Sequence, residues 1–199
     1  MKSKPTEEQL KILKENMEMI SPITSEEWAK FSQLWTCIKA PKKKTITRPG
    51  EVEPYLYFVL GGLQRIYHLS EEGKEATIIF SYPYSFSGVL DSAMTQTSSN
   101  YFFETLSESV LLRAPIDRFL QSTKENGSIG TFVHLALSHN IKGLLHRLVE
   151  IQSLKADEKF KLFMKRSPHM LQIVPHRYLA NYLGIDPTNF SKFINKIII

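Results

Sequence analysis

The spacing of apolar positions changes twice along this chain. Residues 1–20 read as a short amphipathic helix. A second helix is predicted from Thr24. Thr24 and Glu27 fit a capping box, and Ile23 and Trp28 fit a hydrophobic staple. Its pattern runs to about Ile38, ahead of Pro41 and a lysine triplet (Lys42, Lys43, Lys44) that reads as a solvated loop or edge strand. From Thr45 to Arg113 short β-rich runs take over. "YLYFVL" and "LQRIYHL" flank Gly61-Gly62, which predicts a two-residue hairpin. A further turn falls at Glu72-Gly73, and "YFFETL" and "SVLLRA" follow. Strands at this spacing predict a sandwich or barrel. "PIDRFLQ" reads as a brief helix opening at Pro115.

The helical period then returns from about Ser128 to Ser153. Leu137, Ile141, Leu144, Leu148 and Ile151 recur at spacings of four and three, an a/d seam of about two heptads. Such a seam fits either the chain's own body or a second copy. "ADEKFKLFMKR" predicts another helix, closed by Ser167-Pro168. In "VPHRYLANYLGIDPTNFSKFINKI", Tyr178, Leu179, Tyr182 and Leu183 give a short helix an apolar face. Gly184 can end it in the left-handed conformation, and Asp186 can cap a second helix that starts with Pro187. Phe190, Phe193, Ile194 and Ile197 are expected to face inward. Thr188, Asn189, Ser191, Lys192, Asn195 and Lys196 are left on the polar side. That pattern is a helix-turn-helix, whose second helix enters the major groove.

Charge sharpens this reading. The 199 residues carry a net charge of +5. From His139 onward there are ten basic and four acidic residues, against 15 and 16 before it. A near-neutral body with a basic C-terminal part points to a polyanion partner there. An apolar content of 42% with 12 Phe and 8 Tyr supports a real core. No apolar run approaches the roughly 20 residues a bilayer needs, so no membrane partner is expected. The polar start "MKSKPTEEQLKILKEN" has no signal-peptide core, and a cytoplasmic location is expected. One cysteine, Cys37, excludes an intrachain disulfide and a cysteine-rich metal cluster, and reads as a buried small apolar residue. His134 and His139 lie five apart, which is not a metal-ligand pair on a helix. They and His146 read as surface or interface residues. No nucleophile elbow, phosphate-binding loop or zinc-binding helix motif is present, so neither an enzyme nor a cofactor or metal is expected.

In this order, the segments resemble the CRP/FNR (catabolite-activator) family of bacterial regulators, and most of all its Bacteroidetes-type branch. The matching stretches are "YLYFVLGGLQRIYHLSEEGKEATIIF", "SFSGVLDS", "YFFETLSESVLL" and "VPHRYLANYLGIDPTNFSKF". The resemblance implies an α+β chain. Residues 1–127 would form a cyclic-nucleotide-binding-like β-roll, 128–153 a dimerisation helix and 154–199 a helix-turn-helix domain. It implies a homodimer joined through Leu137, Ile141, Leu144, Leu148 and Ile151, double-stranded DNA with a near-palindromic operator, and RNA polymerase as a further partner. His176 and Arg177 would lie near the DNA backbone, with Thr188, Asn189, Ser191, Lys192, Asn195 and Lys196 on the reading helix. An effector pocket would lie at Phe86, Gly88, Val89, Leu90, Ser98, Ser99 and Tyr101.

Two departures from the family pattern follow. Where cyclic-AMP-binding members have Gly-Glu-Leu and an Arg-Ser pair, this chain has Gly88-Val89-Leu90 and Ser98-Ser99. Without the arginine the phosphate loses its strongest contact, so cyclic AMP is not expected, and the pocket is left as empty, structural or adapted to another small molecule. The chain also stops soon after the second helix, with the family's wing short or absent. A second reading remains from the sequence: a ligand-binding or protein-interaction module with no sequence-specific DNA binding.

Overall fold

The structure, a computed structural model, describes residues 2–197, and of Ile197 the backbone alone. A two-residue strand β1 (Lys2–Ser3) leads into helices α1 (Glu7–Glu18) and α2 (Ser25–Phe31) and a 3-10 turn (Ser32–Leu34). Then come β2 (Thr36–Ala40), β3 (Thr45–Thr47), β4 (Tyr55–Gly61), β5 (Gln64–Leu69), β6 (Glu75–Ser81), β7 (Phe86–Ser87), the short helix α3 (Leu90–Thr95), β8 (Phe102–Thr105) and β9 (Ser109–Pro115). Helices complete the chain: α4 (Ile116–Glu125), α5 (Gly127–Ser153), α6 (Ala156–Arg166), α7 (Met170–Ile173), α8 (His176–Leu183) and α9 (Pro187–Ile197).

The strands form two antiparallel sheets, ordered β1-β2-β9-β4-β7 and β3-β8-β5-β6. Tyr57, Val59, Ile66, Phe103 and Leu111 fill the space between them. The first sheet is covered on its other face too. Leu56, Phe58, Leu112 and Ala114 pack there against Phe31, Trp35, Phe119 and Phe132 from the flanking helices. Burial on both faces explains the unbroken apolar run "YLYFVL". The mixed helix and antiparallel-sheet class and the β-roll agree with the sequence reading. Among the described residues no helix is long and apolar enough to cross a membrane.

The predicted hairpin across Gly61-Gly62 does not form. β4 belongs to one sheet and β5 to the other, so this glycine pair carries the chain between sheets. Gly62 has φ +90°, and a Cβ there would lie 2.3 Å from the carbonyl oxygen of Glu108. Gly62 is thus needed for a close crossing, not for a tight turn, while a side chain at Gly61 would meet nothing within 4 Å. The Glu72-Gly73 turn does join a hairpin, β5 to β6. The second predicted helix is also shorter than its pattern. It ends at Phe31, and Thr36–Ala40 instead pairs along its whole length with β9, from Thr36↔Arg113 to Ala40↔Ser109. A ladder with a distant strand outweighs the local helical signal. Cys37 is buried as expected, but on this strand.

Glu27 shows why the capping box at Thr24 is only half made. Thr24 Oγ1 accepts the Glu27 N–H at 3.2 Å. The Glu27 carboxylate instead accepts the Ser128 N–H at 3.2 Å and the Ser128 hydroxyl, tying α2 to the start of α5. At the other end of the chain, α8 stops at Gly184 in the left-handed region (φ 61°). Asp186 Oδ1 accepts the N–H groups of Thr188 (2.9 Å) and Asn189 (3.3 Å), capping α9. Phe160, Leu179, Leu183, Phe190 and Ile194 form the core of this helical region, with Leu63, Phe80 and Leu106 of the roll packed into it.

Candidate effector pocket and nucleic-acid interface

On α9, Phe190 and Ile194 are buried and Phe193 is half-buried, as the pattern requires, while the side chain of Ile197 lies outside the described residues. Thr188, Asn189, Ser191, Lys192, Asn195 and Lys196 are all exposed. Ser191 donates back to the Pro187 carbonyl (3.0 Å), whereas Asn189, Lys192 and Asn195 point no side-chain hydrogen bond at the protein among the described residues. His176 and Arg177, exposed at the first turn of α8, flank this face. The His176 ring sits 5.9 Å from that of Phe190. The Arg177 guanidinium donates to the Tyr178 hydroxyl at 2.6 Å. The structure thus presents amides, hydroxyls and two lysines on one short, capped helix with no acid after Asp186.

The first helix of this pair is fastened to the roll, which the sequence did not reveal. Asn181 accepts the Thr77 N–H at 2.6 Å and donates to the Glu75 carbonyl at 2.6 Å, so its amide continues the open edge of β6. Arg65 lies beside it, with 3% of its side chain exposed. Its guanidinium meets Glu104 and Glu75, each at 2.6 Å, and is stacked between the rings of Tyr67 and Tyr178, each 4.0 Å away. Arg147 of α5 completes the junction. It donates to the carbonyls of Thr77 (3.0 Å), Tyr182 (2.7 Å) and Ile78.

The predicted pocket residues divide between two faces. Gly88 and Val89 are buried at the start of α3, and Gly88 has φ 119° with Tyr55 too close for a side chain to be added freely. Tyr101 packs against the core between the sheets. Phe86 and Leu90 turn the other way. Phe86 packs on Phe58 and Phe132, with ring centroids 5.1 and 5.4 Å away, and Leu90 joins the same outer cluster. The alternation of β7 against β4, with Phe58 opposite Phe86 and Tyr57 opposite Ser87, places Phe86 outside the roll interior. Ser98 is exposed, and the Ser99 hydroxyl is used on the Tyr101 backbone, at 2.8 Å both as donor and as acceptor.

Inside the roll an acid stands where the sequence showed nothing. Glu53 is fully buried. Its carboxylate accepts the Thr47 hydroxyl and the Tyr55 N–H (3.2 Å), and Val89 and Tyr57 lie beside it. Burial pushes the acid above the ordinary carboxylate range despite these donors. Burial, with Glu53 adding to it, also keeps the Tyr57 phenol protonated well past its ordinary range. Arg113, a cation the sequence reading passed over, lies with its guanidinium 4.2 Å from the Tyr55 ring centroid and its Nε unpartnered. The folded-state value of Glu53 is raised, so its contribution to stability is full below the unfolded value. That contribution is lost as pH rises through the folded one. We expect the urea midpoint of the native protein to gain on that of Glu53→Gln as pH falls from 7.5 to 5. Parallel midpoints across that range would contradict the assignment.

On α5, Ile129 and Phe132 are buried and Leu137 is half-buried. Beyond them Ile141, Leu144, Leu148 and Ile151 of the predicted seam are exposed, and so are Leu145 and Val149. The stripe is wider than the a/d reading, and among the described residues no element covers it.

The cyclic nucleotide-binding domain family matches residues 37–126. The global nitrogen regulator of Nostoc sp. (strain PCC 7120) is 32% identical over 102 residues, which are 50% of this chain and 45% of that protein. The chain thus spans about half the length of the curated relatives it matches. Among solved structures, FixK2 from Bradyrhizobium japonicum superposes with a TM-score of 0.73 at 15% identity, over 82% of this chain and 84% of that one. A transcriptional regulator of the CRP/FNR family from Eubacterium rectale gives 0.68 at 15% identity, over 87% and 83%. This chain therefore has the fold of those CRP/FNR-type structures, and its residues 37–126 match the cyclic nucleotide-binding domain.

Proposed function

We propose that this chain is a cytoplasmic transcription regulator that binds double-stranded DNA as a homodimer. In this reading residues 1–127 are the effector domain, 128–153 the dimerisation helix and 154–199 the DNA-binding domain. The observation that carries it is the outer face of α9. Asn189, Lys192 and Asn195 are exposed and uncommitted on a helix fixed at its start by Asp186. Asn pairs with adenine through its amide, and Lys reaches guanine or phosphate. The apolar stripe from Ile141 to Ile151 supports a two-fold partner. A two-fold pair that reads successive turns of B-form DNA needs its reading helices about 34 Å apart, and a near-palindromic operator would follow. The nitrogen regulators and the CRP/FNR structure support the regulator class. Binding to duplex DNA is the test: affinity should fall steeply with salt as phosphate contacts release counterions. A protein that bound no duplex at low salt would instead be a ligand-binding or protein-interaction module.

The roll is then a sensor for something other than a cyclic nucleotide phosphate. Val89 and Ser98 replace the acid and the arginine of the cyclic-AMP binders. Calorimetric titration with cyclic AMP should give no binding heat. Micromolar affinity would overturn this part of the reading.

A further inference from the structure

A cavity of about 490 Å³ lies outside the roll interior, where β6, α5 and the helix-turn-helix region meet. That volume suits a small organic molecule. Phe80, Leu144, Phe163 and Met170 give it apolar walls from all three parts. Its polar lining is one-sided. Arg147 and Arg166 line it, with His139 and His146, and no Asp or Glu does.

The two arginines differ. Arg166 is neutralised by Glu150 through a two-pronged pair at 2.7 and 3.0 Å. Arg147 meets only main-chain carbonyls and the Tyr182 ring, 3.7 Å away, and among the described residues it has no carboxylate partner. Its Nε is buried without a hydrogen-bond partner. Glu150, already paired with Arg166, is the acid that acts on Arg147, so two guanidiniums share one carboxylate and the junction keeps a local excess of positive charge. An anion on an apolar body satisfies both the charge and the walls.

We infer that this junction is a second ligand site, distinct from the cassette at Gly88, and that it takes an amphipathic carboxylate with its acid toward Arg147 and its body against Phe80, Phe163 and Met170. Of the apolar stripe on α5 only Leu144, itself a seam residue, lines the cavity, whose other walls come from β6, the rest of α5 and helices α6 to α8. A molecule seated there touches β6, α5 and Tyr182 together, and so bears on how the helix pair is held against the roll. This regulatory consequence rests on the DNA-binding reading. The site itself does not.

The test uses the full chain with 1-anilinonaphthalene-8-sulfonate, a fluorescent amphipathic anion, as probe. Decanoate is the competitor and decanol its uncharged control. Gly143 lines the cavity, and a Cβ added there meets nothing within 4 Å, so Gly143→Leu is the variant that should occupy the space. Leu is also the better helix former. The native chain should bind one probe per chain, released by decanoate but not by decanol. Gly143→Leu should abolish this binding while sedimenting as the native protein does. Arg147→Met should weaken it at least about tenfold, the loss expected of one hydrogen-bonded charge contact. Probe binding that survives in Gly143→Leu would overturn the site, and equal competition by decanol would overturn the anion. Duplex DNA binding is measured on the same samples. If it is absent from native and variant alike while the probe result holds, the regulator reading fails and the site stands.

Discussion

Leu148→Asp should turn a dimer into a monomer at tens of micromolar and remove high-affinity binding to a two-fold DNA site. Leu148 is half exposed in the middle of a stripe that runs from Ile141 to Ile151, with none of the described residues covering it. In a two-fold pair each copy would bring one aspartate to the seam, close to its symmetry mate. Burying an unpaired charge costs about 3–5 kcal/mol, which lowers the association constant by roughly 10²-fold or more. Losing the partner also loses the second half-site, and with it an avidity of about 10²–10⁴. Sedimentation velocity reads the first effect and anisotropy on a labelled duplex reads the second. Ile173→Asp is the control, since Ile173 is as exposed but lies on α7, off the stripe. A native protein that sediments as a monomer, or a Leu148→Asp protein that stays dimeric, would remove α5 as the interface.

Arg65→Met should be the most destabilising single change at the junction. Glu104 has only 16% of its side chain exposed and would keep its charge with no partner. Tyr178 would lose the cation stacked on its ring. Breaking a buried pair from one side costs about 3–5 kcal/mol, and Glu75, which is well exposed, adds little to that. Arg65→Lys should not rescue it, because an ammonium cannot reach both carboxylates as a fork or stack between two rings. Adding Glu104→Gln to Arg65→Met should recover part of the loss, since it removes the stranded charge. The urea midpoint reads the stability, and amide exchange in α8 reads whether the helix pair loosens from the roll. If Arg65→Met left both unchanged, Arg65 would not be the tie between roll and helix pair.

What could be read in advance was whatever is encoded locally. The α8–α9 turn depends on Gly184, Asp186 and Pro187, each acting within four residues, and it formed as the sequence predicts. Long-range contacts decided the rest. Thr36–Ala40 continues a helical pattern by eye and becomes a strand only because β9 is there to pair with it. Gly61-Gly62 looks like a hairpin until Glu108 is seen pressed against Gly62. The alternation along "YSFSGVL" does not say which face is the roll interior, so Phe86 and Leu90 were grouped with residues they turn away from. Glu53 gives no sign, being one acid among several near a turn, and its burial depends on Thr47, Tyr57 and Val89 arriving from other elements. Asn181 and Arg147 give no local sign of their role, because the edge of β6 that they meet at Thr77 lies 104 and 70 residues away along the chain.

The most direct measurement compares Asn189→Ala with Lys196→Ala on a duplex selected by the native protein and on a random duplex, across a salt series. Asn189→Ala should weaken the selected site by roughly 1–3 kcal/mol and leave random DNA little changed. Lys196→Ala should weaken both alike and flatten the salt slope by about one. If both variants bound the selected duplex as tightly as the native protein, α9 would not be the reading helix and the chain would not be a regulator of this kind.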